Sequence, residues 1–530
     1  MQSGSGTAAA AGAHAQAEAS AFLDALVAAT PGARRIDTHA NVVVLLGPDA
    51  YKMKRAVRFP FLDYSTPDRR RAAVSAELAR NRLFAPGLYL GETGIFRWPD
   101  GTLALGGPGE LVEPLVHMRR FDETLTLDRL AQAGPLPEAV LSGLAAALSA
   151  AHASAPLREA GPWLDDLAAY VEQNHAAFLA CPDLFAESAV TALTVASRAA
   201  HRRLSDLVRS RGRRGLVRLA HGDAHLANVA LVGGVPVLFD AVEFDEAIAT
   251  GDVLYDLAFA VMDLVERGQP AGACHLLNRY LDLTPLEDGE EGLAALPFYL
   301  SLRAAIRAKI AAASIATQRC ATAAEGQRRA ARAYFALALQ ALEPATPGLV
   351  AVGGLSGSGK STLARALAPD LAPLPGARVL RSDVERKRQL GLAETDPAPA
   401  ASYTQAMSDA VYAALYARAR AALAAGHSVI LDGVFARPAE RAAVGALAAA
   451  LDLPVTGLWL EADAAVLAAR VEARSGDASD ATAAVVARQL TYDIGPLDWQ
   501  RLPAGGDPAA TLALARAALG LAASRPAPSA

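Results

Sequence analysis

Short apolar runs separated by turn signals dominate the first part of the chain. An apolar run over 42–46 is followed by Gly-Pro-Asp and by a second run over 51–57, so residues 33–57 are predicted to form a β-hairpin. Helical spacing follows over 68–85, and short apolar runs broken by glycine and proline return over 88–116. The pattern predicts a small region rich in β-strands.

A longer helical region comes next. Ala-rich amphipathic patterns over 127–153 and 163–208 predict helices, and further helices are expected up to residue 342. A polar loop over 221–228 and a strand pair around Gly233-Gly234 interrupt them. The order predicts a small β-rich lobe followed by a large helical lobe.

The last third of the chain alternates strand and helix patterns. The strand candidates lie at 349–353, 378–383, 428–432 and 454–460. Such a βαβ series predicts a parallel sheet.

The domain limits follow from composition. The Pro-containing segment 344–348 is the best linker, which gives one domain over 21–343 and a second over 349–524. The Ala/Gly/Ser-rich residues 1–20 are predicted to be a disordered tail, and residues beyond 524 are expected to fray. The beginning of the chain has no basic n-region, so a signal peptide is not predicted.

Charge and composition exclude several classes of function. The 50 basic and 55 acidic side chains give a net charge of −5, which predicts neither a nucleic-acid nor a membrane partner. No apolar run in the sequence is long enough to cross a bilayer. The three cysteines are far apart and fit a reduced, cytoplasmic protein.

The string Gly-Leu-Ser-Gly-Ser-Gly-Lys-Ser matches the phosphate-binding P-loop. Its glycines allow backbone N–H groups to approach phosphate oxygens beside a helix N-terminus. Lys360 is predicted to reach the β- and γ-phosphates of ATP, and Ser361 to bind Mg²⁺. The residues predicted to contact the nucleotide are Gly354, Gly357, Ser358, Gly359, Lys360, Ser361 and Thr362.

Side chains after the next two strands indicate how this ATP is used. Asp383 could orient and deprotonate an acceptor hydroxyl while Arg386 holds the substrate, although Asp383 could equally cap a helix. Asp432 could bind Mg²⁺ or belong to a turn. Arg470 and Arg474 share one helix face and could clamp phosphates or lie in solvent.

These motifs resemble those of the small P-loop kinases related to gluconate kinase and chloramphenicol phosphotransferase, often catalogued as AAA-family ATPase-like proteins. The resemblance covers residues 349 to about 500 and implies a P-loop NTPase fold with a parallel α/β sheet. No sensor or arginine-finger pattern of ring ATPases is present in the sequence, which argues against a mechanical motor.

A second set of motifs lies far upstream. His221-Gly-Asp223 followed by Asn228 has the spacing of a kinase catalytic loop, in which Asp223 accepts or orients the acceptor proton. Asn228 and Asp240, twelve residues later at a strand end, are predicted metal ligands. The alternative is an incidental His-Gly-Asp turn.

The phosphate-contacting lysine of this site has two candidates. Lys52 and Lys54 lie on the same face of one strand, and Lys52 is favoured while Lys54 stays open. Glu77 in the following helix is the natural ion-pair partner, unless it is a solvated helix charge.

Residues from about 30 to 340 resemble the aminoglycoside phosphotransferase and choline-kinase superfamily. The run from Tyr51 to Arg71, with Lys-Met-Lys-Arg and Phe-Leu-Asp-Tyr-Ser-Thr-Pro, is similar to the branch described as aminoglycoside phosphotransferase family proteins. A glycine-rich G-x-G-x-x-G loop is absent from the sequence, and His-Gly-Asp replaces His-Arg-Asp, both unlike protein kinases. The resemblance implies a two-lobed, protein-kinase-like α+β fold.

The sequence thus predicts a bifunctional kinase that uses ATP and Mg²⁺ at two sites to phosphorylate a small-molecule hydroxyl, with a sugar as the example. Two alternatives stay open: a C-terminal ATPase that regulates the N-terminal kinase, and an N-terminal pseudokinase. Glu243, Asp245 and Glu246 could bind a cationic substrate, cap helices or pair with arginines, whereas Asp252 and Asp256 are expected to be structural. The acceptor and the oligomeric state do not follow from the sequence.

Overall fold

The computed structural model describes residues 4–59, 62–284, 289–318, 320–473 and 478–521, with side chains from residue 15 onward except that of residue 400. It divides into two compact units, Met1–Asp166 with Val208–Asp263, and Leu167–Leu207 with Leu264–Ala530. The predicted linker 344–348 lies inside the second unit, and the domain limits at 343 and 349 stay predictions. The fraying expected beyond 524 lies outside the described residues.

The helices, strands and short 3₁₀ turns have the following bounds. The helices are α1 (Gly4–Ala29), α2 (Pro67–Asn81), α3 (Leu127–Ala133), α4 (Glu138–Ser154), α5 (Ala160–Leu179), α6 (Glu187–Arg213), α7 (Glu246–Ala249), α8 (Val253–Glu266), α9 (Pro270–Leu283), α10 (Leu296–Ser314), α11 (Ala321–Ala341), α12 (Lys360–Leu367), α13 (Ser382–Gln389), α14 (Gln405–Ala424), α15 (Pro438–Ala449), α16 (Ala464–Glu472), α17 (Ala483–Gln489) and α18 (Pro508–Ala518). The strands are β1 (Arg34–Asp37), β2 (Asn41–Leu46), β3 (Asp49–Lys54), β4 (Arg58–Phe59), β5 (Leu62–Asp63), β6 (Tyr89–Arg97), β7 (Leu103–Leu105), β8 (Glu110–Arg119), β9 (Val217–Leu219), β10 (Val229–Val232), β11 (Val235–Leu238), β12 (Thr250–Asp252), β13 (Leu349–Gly354), β14 (Arg378–Arg381), β15 (Val429–Asp432), β16 (Val455–Glu461) and β17 (Gln500–Pro503). The 3₁₀ turns are Glu123–Leu125, Leu226–Asn228, Glu290–Ala295, Ile315–Thr317, Ala368–Asp370 and Ala400–Ser402.

The β-rich lobe is an antiparallel sheet in the order β1-β2-β3-β8-β6-β7. The predicted hairpin is confirmed: β2 and β3 join through Gly47, whose φ of 56° is in the left-handed region that favours glycine. Helix α2 begins at Pro67 after the N-cap Thr66, whose side chain accepts the Arg69 N–H. Its Val74 and Leu78 pack into an apolar cluster with residues of β2, β3 and β8.

The prediction of a disordered tail over 1–20 is wrong from Gly4 onward, because α1 begins there. Alanine has the highest helix propensity, so an Ala-rich segment becomes helical once one face has a surface to pack on. Ala19 is fully buried in a cluster with β2, β3, β6 and β8 residues. Gln16 donates to the Lys54 carbonyl at 2.9 Å and accepts the Ala56 N–H at 2.6 Å.

The catalytic-loop candidate lies between short strands of the first unit. β9 pairs with β12, and β10 pairs with β11 across Gly233-Gly234, so the strand pair predicted there is confirmed. Residues 221–228 therefore connect one strand pair to the other. The residues before α8 form β12, which fixes the start of that helix beside the loop.

The C-terminal sheet is parallel, in the order β14-β15-β13-β16-β17, as the sequence predicts. Its central strand β13 is buried throughout, because helices cover both faces of such a sheet. The strand expected over 378–383 ends at Arg381, and Asp383 instead lies in the first turn of α13. The carboxyl ends of β13, β14 and β15 form one edge, where ligands of open α/β sheets bind.

Candidate active sites

The first site is built around the loop that contains Asp223. The Asn228 side-chain amide donates to both the main-chain carbonyl and the carboxylate of Asp223, at 3.0 Å each. The His225 imidazole lies 3.3 Å from the same carboxylate. Asp223 is nevertheless 39% exposed, so its carboxylate is held in place and stays accessible to an acceptor.

The Asp256 carboxylate binds main-chain N–H groups of this loop. It accepts the N–H groups of His221 and Gly222 at 3.0 and 2.9 Å and contacts the His152 ring at 3.1 Å. Asp252 forms a buried ion pair with Arg211. Both aspartates thus have structural contacts, as the sequence predicts.

The backbone conformation at position 222 requires the glycine of His-Gly-Asp. The φ of Gly222 is 83°, and a Cβ at this position would lie 2.9 Å from the Ala249 Cα. A side chain here would be strained and would meet main chain, so this backbone excludes the arginine of His-Arg-Asp.

The structure gives Lys52 and Lys54 different partners. The Lys52 ammonium lies 2.7 Å from one Glu77 oxygen and 2.6 Å from the Asp240 carboxylate. Lys54 is ion-paired with the other Glu77 oxygen and with Glu243, both at 2.5 Å. Glu77 is completely buried, so the alternative of a solvated helix charge is wrong. Lys52 alone of the two reaches the predicted metal ligand.

Charges at this site stabilise one another against burial. Burial works to raise the pKa of Asp240, but the Lys52 ammonium outweighs it and holds that pKa at about 2. Burial likewise opposes the charge on Lys52, but Asp240 and Glu77 raise the Lys52 pKa well above its usual value. Asp240 has 47% of its side chain accessible. Carboxylates and lysines are therefore charged, and Asp240 keeps a surface for a ligand.

Asp240 also has an unusual backbone. Its φ of 60° is in the left-handed region, and its N–H donates to the Tyr89 hydroxyl at 3.1 Å. The next N–H, that of Ala241, donates to the Asn81 side chain at 2.7 Å. Strained non-glycine residues are held only where surrounding contacts fix them, and they concentrate at functional sites.

Sequence reasoning missed several residues of this site. Glu243, considered as a substrate acid, helix cap or arginine partner, instead pairs with a lysine and accepts the Tyr64 hydroxyl at 3.0 Å. The Phe-Leu-Asp-Tyr run contains Tyr64 but carries no signal of this contact. Tyr89 and Asn81 gave no sequence signal, since their roles depend on chain folding over 150 residues or more.

The second site begins with the P-loop between β13 and α12. Gly354, Gly357 and Gly359 have φ values of 137°, 83° and 92°. A Cβ at Gly357 would lie 2.4 Å from the Leu467 carbonyl oxygen, so this residue must be glycine. Lys360 opens α12, and its ammonium donates to the Leu355 carbonyl at 3.0 Å. Ser358 is buried, while Thr362 lines the adjoining cavity.

A hydroxyl and a carboxylate meet beside the P-loop. The Ser361 hydroxyl donates to Asp432 at 2.6 Å, and the Arg381 guanidinium lies 3.5 Å from the same oxygen. Asp432 is the last residue of β15 and is buried. This contact favours the ligand role of Asp432 over that of a turn residue.

Asp383 and Arg386 lie on α13 and line the same cavity. Arg381 occupies the N-cap position, so Asp383 is not the helix cap. Burial raises the pKa of Asp383, Arg381 opposes that shift and Asp432 adds to it. Arg386 donates to the Ser402 carbonyl at 3.0 Å and lies over the Tyr403 ring at 4.8 Å.

Of the predicted arginine pair, Arg470 is among the described residues. Arg470 lines the cavity and donates to the Ala504 carbonyl at 2.7 Å, so it is anchored rather than fully solvated. Arg474 lies outside the described residues, and its proposed role stays a prediction.

The cavity has a volume of about 1050 Å³, enough for a nucleotide and a small acceptor together. Its charged lining includes Lys360, Arg381, Asp383, Arg386, Asp432 and Arg437. Cationic groups next to the P-loop suit phosphate, and carboxylates are groups that can accept a proton or bind a metal.

The donor sets of both sites suit magnesium held together with phosphate. Among the described residues, no group of three or more His, Cys, Asp or Glu side chains could hold a metal alone. Mg²⁺ prefers oxygen ligands and commonly binds one or two carboxylates plus substrate phosphates and water. Ser361 with Asp432, and Asn228 with Asp240, are sets of this kind.

A family model and related proteins match this chain. Residues 349–492 match the family model described as AAA domain. Two relatives, "Uncharacterized protein Rv2004c" of Mycobacterium tuberculosis and "Uncharacterized protein Mb2027c" of Mycobacterium bovis, are each 32% identical over 479 residues, which cover 87% of this chain and 90% of the relative. Within the described part of the chain, no helix is both long and apolar enough to span a membrane.

Solved structures match parts of the chain. A choline/ethanolamine kinase family protein from Mesorhizobium loti is 14% identical and covers 62% of this chain and 99% of its own, with a TM-score of 0.34. A gluconokinase from Sinorhizobium meliloti 1021 is 22% identical and covers 33% and 93%, with a TM-score of 0.25. Residues 349–492, which match the AAA domain model, contain the P-loop and four of the five strands of the parallel sheet described above. The chain belongs to the family of the mycobacterial proteins Rv2004c and Mb2027c.

Proposed function

We propose that this protein is a bifunctional kinase that transfers the γ-phosphate of ATP to a hydroxyl of a small molecule, such as a sugar, at two separate sites. The observation that supports the proposal is that each half brings together side chains or backbone groups of the types that bind phosphate and accept a proton. The first set is Lys52, Glu77, Asp223, Asn228 and Asp240. The second is the P-loop with Ser361, Asp432 and Asp383.

At the first site, Asp223 is proposed to accept the proton of the acceptor hydroxyl. The freed oxygen then forms a bond to the γ-phosphorus, and the bond to the β,γ-bridging oxygen breaks to release ADP. Asn228 orients Asp223, and Glu77 orients Lys52 toward the phosphates. Magnesium, when bound by Asn228 and Asp240, would neutralise phosphate charge.

At the second site, P-loop N–H groups and Lys360 are proposed to bind the phosphates. Asp383 accepts the acceptor proton, and Arg386 holds the acceptor. The raised pKa of Asp383 makes its carboxylate a stronger base, because burial and the Asp432 charge destabilise the ionised form. Ser361 and Asp432 would hold magnesium, which would again offset phosphate charge.

The test is product analysis of the full-length protein incubated with ATP, Mg²⁺ and a metabolite mixture. Asp223→Ala should abolish one phosphorylated product, and Lys360→Ala a different one. If either variant alone removes all transfer, the sites are not independent. Hydrolysis of ATP by the second site without any product dependent on Lys360 would instead favour a regulatory ATPase.

A further inference from the structure

Helix α9 presents a regular row of side chains to the P-loop sheet. Cys274, Asn278 and Asp282 are spaced by four residues and therefore share one helix face. Cys274 is buried in the same apolar cluster as Val350 and Val352 of the central strand β13. Although α9 precedes the predicted linker by 60 residues or more, its face is part of the core of the P-loop sheet.

Asn278 replaces a missing neighbour strand at the edge of that sheet. β14 is the outermost strand and pairs only with β15 in the described sheet. On its open side, the Asn278 amide accepts the Val379 N–H at 2.7 Å and donates to the Ala377 carbonyl at 3.0 Å. One side chain thus satisfies two main-chain groups of an edge strand, as a paired strand would.

A buried charge cluster continues from Asn278. The Arg378 side chain is completely buried, donates to Asn278 at 3.0 Å and contacts Asp282 and Glu290 at 2.6 and 3.1 Å. Glu290 belongs to the 3₁₀ turn after α9. The start of β14 is therefore held by three side chains from outside the P-loop sheet.

The same cluster reaches the helix that carries the proposed acceptor-binding residues. Glu290 accepts from Arg418 of α14 at 3.0 Å, and Arg418 donates to Glu385 of α13 at 3.0 Å. Glu385 lies between Asp383 and Arg386 in sequence. The chain of contacts from Glu290 thus ends between the two residues that would handle the acceptor.

We propose that α9 and the turn after it are part of the second phosphotransferase site, with Asn278 and Glu290 acting as positioning residues for β14 and α13. They touch neither ATP nor acceptor; they fix the orientation of Asp383 and Arg386. This inference rests on the proposed function of the second site. Outside α9, the hydrogen bonds described for the side chains of Asn278 and Glu290 go to residues 377–379 and to Arg418, not to β13 or α12.

Packing alone does not require this arrangement. A buried ion pair contributes little net stability compared with apolar residues of similar volume, because burying the charges costs desolvation. Directional contacts to two main-chain groups and one buried guanidinium instead fix a single position of β14. Such contacts suit an element whose following residues must meet an acceptor within a few tenths of an ångström.

The first experiment is hydrogen–deuterium exchange on full-length Asn278→Ala. Loss of the Asn278 contact should speed exchange of the Val379 amide about tenfold, since one buried hydrogen bond is removed. Exchange in α12 should stay unchanged. Gln340→Ala, an exposed amide on α11, is the matched control and should alter neither. Unchanged exchange at Val379 would overturn the inference, whatever the second site catalyses.

The second experiment distinguishes a positioning role of Asn278 from a general loss of stability. With the product that depends on Lys360, Asn278→Ala should raise the acceptor KM several-fold and leave the ATP KM within twofold. Asn278→Asp, which keeps an oxygen for Val379 and Arg378 but loses the donor to Ala377, should recover part of the acceptor affinity. If both KM values rise together, or Asn278→Asp recovers nothing, the residues act only on stability. If Asn278→Ala does not fold, Glu290→Gln is measured by the same two readouts and the same criteria.

Discussion

The two proposed phosphate-binding sites are built in opposite ways. The first joins side chains that are distant in sequence: Lys52 meets Glu77 and Asp240, which lie 25 and 188 residues away. The second uses consecutive main-chain groups of one glycine-rich loop, completed by the Ser361–Asp432 contact. The first therefore depends on mutually neutralised buried charges, and the second on backbone shape. Removing a buried charge should therefore impair mainly the first site, and adding a side chain at a loop glycine should impair mainly the second.

We expect the largest effect from removing the Glu77 carboxylate, which contacts both Lys52 and Lys54. Glu77→Gln leaves two buried ammonium groups with one fewer counter-charge, so the free energy of unfolding should fall by about 3–5 kcal/mol. Denaturant titration followed by the signal of the first unit measures this. Glu92→Gln, at an exposed position of β6, is the control and should change it little. An equal effect of the two substitutions would show that the buried pairs do not stabilise the site.

The two lysines should differ in catalysis. Lys52→Met should reduce formation of the product that depends on Asp223 by about 100-fold, as the loss of a single transition-state donor typically does. Lys54→Met should reduce it less than tenfold, because Lys54 contacts Glu77 and Glu243 rather than Asp240. Rates are compared at a temperature where both variants are folded. The reverse order would make Lys54 the phosphate lysine.

Backbone shape should decide nucleotide binding at the second site. Gly357→Ala adds a Cβ 2.4 Å from the Leu467 carbonyl oxygen at a φ of 83°, so a nucleotide analogue should bind there more than tenfold more weakly. Gly445→Ala, in α15 with open space around it, is the matched control. Calorimetric titration gives both affinities. Unaltered binding in Gly357→Ala would contradict the main-chain account of this site.

As the pH falls, titration of His427 should destabilise the unit that contains the P-loop before titration of Asp240 destabilises the other unit. Burial lowers the pKa of His427 to about 4, so the unfolded chain gains a proton below about pH 6.5 that the folded chain lacks. Stability should fall by about 1 kcal/mol per pH unit between those values. Asp240, with its pKa lowered to about 2, contributes stability above about pH 4 that is lost as the pH falls toward 2. His427→Asn should flatten the first slope; an unchanged slope would assign it to other groups.

Contiguous motifs were predictable and long-range contacts were not. The P-loop, the parallel sheet and the hairpin of Lys52 follow from local spacing, and the fold has them where expected. The pairing of Lys54 with Glu243 joins residues 189 apart, for which one sequence contains no signal. Residues 4–20 of α1 were predicted to be a disordered tail because composition does not reveal the sheet surface on which this helix packs. The role of Asn278 could not be predicted either, because an asparagine in a helix gives no indication that an edge strand lies beside it.

The central claim, two magnesium-dependent nucleotide sites in one chain, is tested most directly by binding stoichiometry. Calorimetric titration of the full-length protein with a non-hydrolysable ATP analogue and Mg²⁺ should give two molecules bound per chain. Lys360→Ala and Lys52→Met should each leave one. A stoichiometry of one in the unaltered protein, under saturating conditions, would contradict the account.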